Sequence, residues 1–172
     1  MFTVGDHVLY GKNGVCELTD ICRSPLDPGD ERMYYVFKPI HNSSATIYTP
    51  VDNEKVASRK IMGKKEADEF IKRIPSIEAL MVENEKSRRE VYKNAVAELS
   101  PEGFIQILKT VYSRRRSFET MKRHITEVDA EYENLAKKSL YSELSVILDI
   151  PYDQIEGYIT EKIESQNKIT EA

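Results

Sequence analysis

The residue types able to do covalent or metal chemistry are few and scattered in this chain. The three histidines are His7, His41 and His124, and the two cysteines are Cys16 and Cys22. No pair among them has the C-x-x-C or H-x₃-H spacing of a zinc site. Both cysteines sit within or beside apolar strand residues, where a free thiol acts as a small hydrophobe. Nucleophilic catalysis needs a base beside the nucleophile and a third group to orient it, and no such arrangement is spelled out. No P-loop and no G-x-G-x-x-G occurs. Acidic pairs are plentiful, but they fall on helix surfaces where solvation explains them. The sequence therefore predicts a non-enzymatic protein with no cofactor, no metal and no small-molecule substrate.

The basic residues are more informative. Net charge is −4 overall, which argues against a generic nucleic-acid binder, yet the charge is unevenly distributed. Residues 1–62 carry net −1, residues 63–125 net +4 and residues 126–172 net −7. Lys86, Arg88, Arg89 and Lys93 lie on one predicted helix, with 86, 89 and 93 along one face. Arg114, Arg115, Arg116, Lys122 and Arg123 cluster at the end of the next. Cations there complement the helix macrodipole, but three consecutive arginines exceed what capping requires. Two basic clusters in one helical region are able to grip phosphates on both sides of a groove. Ordinary solvated helix faces are the competing reading.

These residues must be positioned by elements of two kinds. Up to about residue 60 the chain reads as short strands at Asp6–Tyr10, Val15–Ile21, Met33–Lys38 and Ala45–Thr49, with turn residues between them. Pro50 closes the last, because proline cannot donate to a central ladder. After Gly63 the apolar period becomes helical. Five helices are expected: one ending at Pro75, one over 84–99, one opened by Ser100-Pro101, one capped by Thr126 with Asp129 three residues later, and one opened by Pro151. Predicted inward stripes are Phe104, Leu108, Val111 and Tyr112, then Val128, Tyr132, Leu135, Leu140, Leu144 and Ile147, then Ile155, Tyr158, Ile159 and Ile163. The expected fold class is α+β in two segregated parts, a small SH3/Tudor-like β-barrel followed by an all-α domain. The expected domains are 1–62 and 63–166, with a frayed tail at 167–172. No apolar run approaches the ~20 residues of a membrane span, and the start has no basic-then-apolar leader. With two cysteines, the reducing cytoplasm is the expected location.

Phe2-x-Val4-Gly5-Asp6-x-Val8-x-Tyr10, followed by Gly14-Val15, resembles the opening of the CarD family of bacterial transcription regulators. The transcription-repair coupling factor shares that opening in its polymerase-interaction domain. Thr46-Ile47-Tyr48-Thr49-Pro50 is similar to the family's last barrel strand. Arg88-Arg89, Tyr92-Lys93, Ile107 to Tyr112 and Leu140 to Leu144 follow in the family's order. The resemblance implies a Tudor-like domain that binds the RNA polymerase β subunit, with Arg23, Thr46, Ile47 and Tyr48 as contacts. It also implies a helical domain that touches promoter DNA without sequence specificity and modulates open-complex stability. Met81, Lys86, Arg88, Arg89, Lys93, Arg114, Arg115 and Arg116 are the DNA-binding candidates. Many family members wedge a tryptophan into the minor groove, but this chain has no Trp. Aligning on Tyr92-Lys93 places Met81 there, and aligning on Ser87-Arg88-Arg89 places Lys86 there. The alternative is a polymerase-binding adaptor with little or no DNA contact.

Overall fold

The structure, a computed structural model, describes residues 1–25, 27–42 and 44–170, with backbone only over 167–170. The chain divides into two compact units, Met1–Ile61 and Met62–Ala172.

The first unit is a five-stranded antiparallel sheet. Its strands are β1 (His7–Tyr10), β2 (Val15–Arg23), β3 (Met33–Pro39), β4 (Ile47–Pro50) and β5 (Ser58–Lys60), in the order β4-β3-β2-β1-β5. Four were expected; β5 escaped notice because Ser58-Arg59-Lys60 has no apolar alternation. It is fixed by its ladder to β1, in which Leu9 faces Arg59. A single 3₁₀ turn at Gly11–Asn13 joins β1 to β2, and Gly14 leaves it at φ 76°, a conformation that favours glycine. Alternate strand residues turn inward, so Val8, Tyr10, Cys16, Leu18, Tyr35 and Phe37 form one buried cluster. Phe2 packs onto it at 5.6 Å from Tyr35 and 6.3 Å from Phe37, ring centre to ring centre. The opening motif is thus mostly structural. Asp6 accepts a bond from the Thr3 amide at 2.8 Å and pairs with Lys60 at 2.7 Å, fastening the N-terminal turn.

The second unit is helical, with α1 (Lys64–Arg73), α2 (Arg88–Ala95), α3 (Pro101–Thr120), α4 (Glu127–Leu148) and α5 (Ile155–Thr170). Two starts are capped as the sequence predicts. Ser100 Oγ accepts the Gly103 amide at 3.1 Å, and Thr126 with Asp129 forms a reciprocal capping box. The helix expected over 84–99 is shorter. Asn84 Oδ1 accepts the Ser87 amide at 2.9 Å, so the side chain holds a turn where helix was expected. At the other end Leu99 takes φ 56° to turn the chain into Ser100-Pro101. α5 begins after a 3₁₀ turn at Tyr152–Gln154 rather than at Pro151. It continues to Thr170, so the expected frayed segment is helical over 167–170, while Glu171 and Ala172 lie outside the described residues.

The buried side of α3 is rotated by one position from the predicted stripe. Phe104, Ile105, Ile107, Thr110 and Val111 are buried, whereas Tyr112 is exposed and Leu108 half-buried. On α4, Tyr132, Leu140 and Leu144 are buried as expected, but Leu135 and Ile147 only partly. Gly103 lies hard against the end of α2: a Cβ there would lie 1.9 Å from the Ala95 carbonyl oxygen. Gly103→Ala should cost at least the ~1–3 kcal/mol of an overpacked core, read from the midpoint of a urea melt. Leu144→Ala, which empties a fully buried site, should cost about 2–5 kcal/mol in the same assay.

Candidate functional site

Two regions collect the candidate residues. In the first unit β4 lies at one edge of the sheet, bonded on one side only, to β3. Its residues alternate. Ile47 packs toward the core and Thr49 is buried, while Tyr48 points outward at 40% exposure; Thr46, just before the strand, is exposed. Tyr48 also borders a shallow groove of about 620 Å³ with Tyr10, Arg32, Pro50, Asn53 and Lys55. Ile47 supports this edge from beneath. Arg23 is exposed at the end of β2, opposite Met33, with β3 between it and β4. The register sets it three residues beyond the Asp20–Val36–Tyr48 row, about 10 Å along the strand direction. The sequence-predicted group therefore splits into an exposed pair, Thr46 and Tyr48, an inward Ile47 and a separate Arg23.

In the helical unit the arginines do not all face solvent. Asp129, in the first turn of α4, is fully buried and gathers groups from three helices. Its Oδ1 accepts the Tyr92 hydroxyl from α2 at 2.8 Å and lies 3.5 Å from Arg88 Nη1. Its Oδ2 accepts Arg114 Nε from α3 at 2.8 Å, together with the Thr126 amide at 3.1 Å and hydroxyl at 2.9 Å. Glu85 completes the set, meeting Arg114 at 2.6 Å and Arg88 at 3.1 Å. Arg88 also donates to the Tyr92 hydroxyl at 2.9 Å. The Arg114 guanidinium stacks over Phe118 at 4.5 Å, and Arg123 lies 5.4 Å from the same ring.

The charges of this cluster sustain one another. Burial opposes ionisation of Asp129, but the bonds from Tyr92 and Thr126 and the charge of Arg114 prevail and hold its pKa below the ordinary carboxylate value. Burial likewise works against the Arg88 cation; Glu85 and Tyr92 outweigh it, and its pKa lies above the usual one. The Tyr92 phenol is pushed up to about 12 by burial and by its bond to Asp129, so it stays a donor. The expected solvent-facing role of Arg88 and Arg114 is thereby corrected. Both are occupied in joining α2, α3 and α4, because a buried carboxylate requires paired donors. Arg115 is half-buried against Glu133 at 2.6 Å, and Arg89 pairs on the surface with Glu131 at 2.7 Å. Lys86, Lys93 and Arg116 are exposed, and none of the three forms an ion pair among the described residues. Arg116 lies 5.9 Å over the ring of exposed Tyr112.

Sequence reasoning treated Asp129 as a capping residue and missed its second role. The capping box signalled its position, but only the fold brings Tyr92 and Arg114 to it across 37 and 15 residues. Lys109 was also missed. From α3 it donates to the carbonyls of Ile74, Pro75 and Ile77 at 2.6, 3.2 and 2.5 Å, where α1 and its following 3₁₀ turn end. A cation at spent helix carbonyls is favourable, and burial lowers its pKa. Glu143, buried in α4, accepts the Met62 amide at 2.8 Å; its place inside the apolar run Leu140 to Leu144 was the available signal.

Met81 is 90% exposed in the irregular segment between the 3₁₀ turn and α2. Among the described residues no group of three or more His, Cys, Asp or Glu is placed to hold a metal, and no helix is long and apolar enough to cross a membrane.

A small antiparallel sheet with an outward tyrosine on an edge strand offers a main-chain edge and alternate side chains of the kind that peptide-binding modules use. Residues 2–62 match the family model described as the CarD-like/TRCF RID domain, so the first unit is a CarD-like RNA polymerase-interacting domain, and its role is polymerase binding in transcription. No curated protein matches the chain.

The cluster at Asp129 has a definite pH signature. Its folded pKa is depressed, so its stabilisation is complete above the unfolded value of about 3.9 and is lost as pH falls through the folded value. Stability should decline on acidification below about pH 4, and Asp129→Asn should flatten part of that decline. At neutral pH, Asp129→Ala should cost about 3–5 kcal/mol, measured by urea melts across pH, because it removes the buried carboxylate that Arg114, Arg88 and Tyr92 share and leaves the two arginines the more exposed Glu85.

Proposed function

We propose that this chain is a transcription regulator that docks on the RNA polymerase β subunit through the β4 edge and rests exposed cations of its helical unit on promoter DNA, thereby changing open-complex lifetime. The observation that carries the reading is the match of residues 2–62 to the polymerase-interacting domain, on a sheet whose edge strand turns Tyr48 outward, with exposed Thr46 just before it. Strand addition there would draw affinity from main-chain bonds and specificity from Tyr48. Arg23 assists from the end of β2. For DNA, the supporting feature is the set of exposed cations Lys86, Lys93 and Arg116, with Arg89 and Arg115 able to exchange a carboxylate for a phosphate at the surface. Arg88 and Arg114 contribute indirectly, by fixing the helices that carry the others.

A second reading, a polymerase-bound adaptor with little DNA contact, is favoured by the pairing of Arg88, Arg89, Arg114 and Arg115 with carboxylates of the same chain. Salt separates the two. Phosphate contacts release counterions, so each lysine or arginine removed should lower the salt slope of DNA binding by about one. Lys86→Ala, Lys93→Ala and Arg116→Ala, combined, should abolish most of the slope while leaving the melting temperature unchanged. DNA binding that is absent in the wild type, or a slope unmoved by the triple variant, selects the adaptor. Tyr48→Asp should lose co-purification with polymerase while circular dichroism stays native, since the ring is on the outer face. Retained co-purification would remove β4 as the docking edge.

A further inference from the structure

Residues 77–87 cross from the 3₁₀ turn to α2 without regular structure until a turn at their end, yet they are fastened at several points to α3. Lys109 holds the Ile77 carbonyl at one end. In the middle the Leu80 amide donates to Thr110 Oγ1 at 2.8 Å, and Thr110 is itself fixed by its bond to the Gln106 carbonyl at 2.6 Å. At the other end Glu85 is clasped by Arg114 and Arg88. Met81 follows the fastened Leu80 directly, and its side chain is 90% exposed. An apolar side chain held out on a fastened segment has the backbone part of its ordering cost already met, which favours a docking anchor.

The charges beside it indicate what it docks against. Glu78 and Glu83 flank Met81, both exposed and neither in an ion pair among the described residues. Such carboxylates would repel a phosphate lattice and would attract lysine and arginine side chains. We infer that the segment 77–83 is a protein-docking strap, whose Met81 fills an apolar pocket rimmed by basic side chains on the polymerase assembly. The inference rests on the polymerase-binding reading above, and it assigns the strap to polypeptide and not to DNA.

The test uses full-length protein carrying p-benzoylphenylalanine at position 81, bound to polymerase holoenzyme on an end-labelled promoter fragment. Ultraviolet irradiation should transfer the chain to a polymerase subunit. Transfer to the DNA strands would overturn the inference in favour of an apolar wedge in the duplex, and absence of any adduct would overturn it as well. Co-purification of the same protein with polymerase is scored first, so that failure of polymerase binding itself is seen separately from failure at the strap. A second variant, Glu78→Lys with Glu83→Lys, lies on the surface and should weaken the polymerase complex about tenfold. Tighter binding by that variant would again point to phosphate.

Discussion

The helical unit depends on one buried carboxylate. Asp129 is withdrawn from water, and such a charge persists only where its oxygens are filled by donors. Its two oxygens take Tyr92 from α2, Arg114 from α3 and the capping groups of its own helix, so one group fixes three helix positions together. The consequences spread outward. Arg88 and Arg114, once committed to Asp129, also hold Glu85, and with it the segment that presents Met81. Tyr92 packs its ring against Tyr132 at 5.5 Å, which joins the polar cluster to the apolar core of α4.

This constraint changes how the charge of the molecule is understood. Residues 63–125 carry net +4, but much of that charge is neutralised by carboxylates belonging to residues 126–172, where Asp129, Glu131 and Glu133 lie. The basic middle and the acidic last third are partners within one unit more than they are separate faces. Of the sequence-predicted DNA contacts, Lys86, Lys93 and Arg116 are exposed and form no ion pair among the described residues. The first unit has a different logic. Its core is built on aromatic rings, and β4 is an edge strand of its sheet.

Much of the architecture was legible in the residues. Period-two alternation located four strands, and helical spacing, Ser100-Pro101 and Thr126-x-x-Asp129 located the helices, since caps and patterning act locally. β5 was not legible, because Ser58-Arg59-Lys60 owes its conformation to β1 and not to its own propensities. The stripe on α3 was misplaced by one position, since Tyr112 is apolar enough to pass as core when only composition is visible. The site was less legible than the fold. A run such as Arg114-Arg115-Arg116 looks the same whether its partner is a phosphate or a distant aspartate, and only the packing of α3 on α4 decides. Lys109 and Glu143 bond backbone groups remote in sequence, which leaves no local signature.

The central claim is that Asp129 couples α2 to α3 through its two oxygens. A double-mutant cycle between Tyr92→Phe and Arg114→Gln measures this directly, since Tyr92 donates to Oδ1 and Arg114 Nε to Oδ2, at 2.8 Å each. The two changes should be strongly non-additive in unfolding free energy, with a coupling in the range of about 0.5–3 kcal/mol. Additivity to within about 0.3–0.5 kcal/mol would show that the two helices are held independently, and would contradict the account.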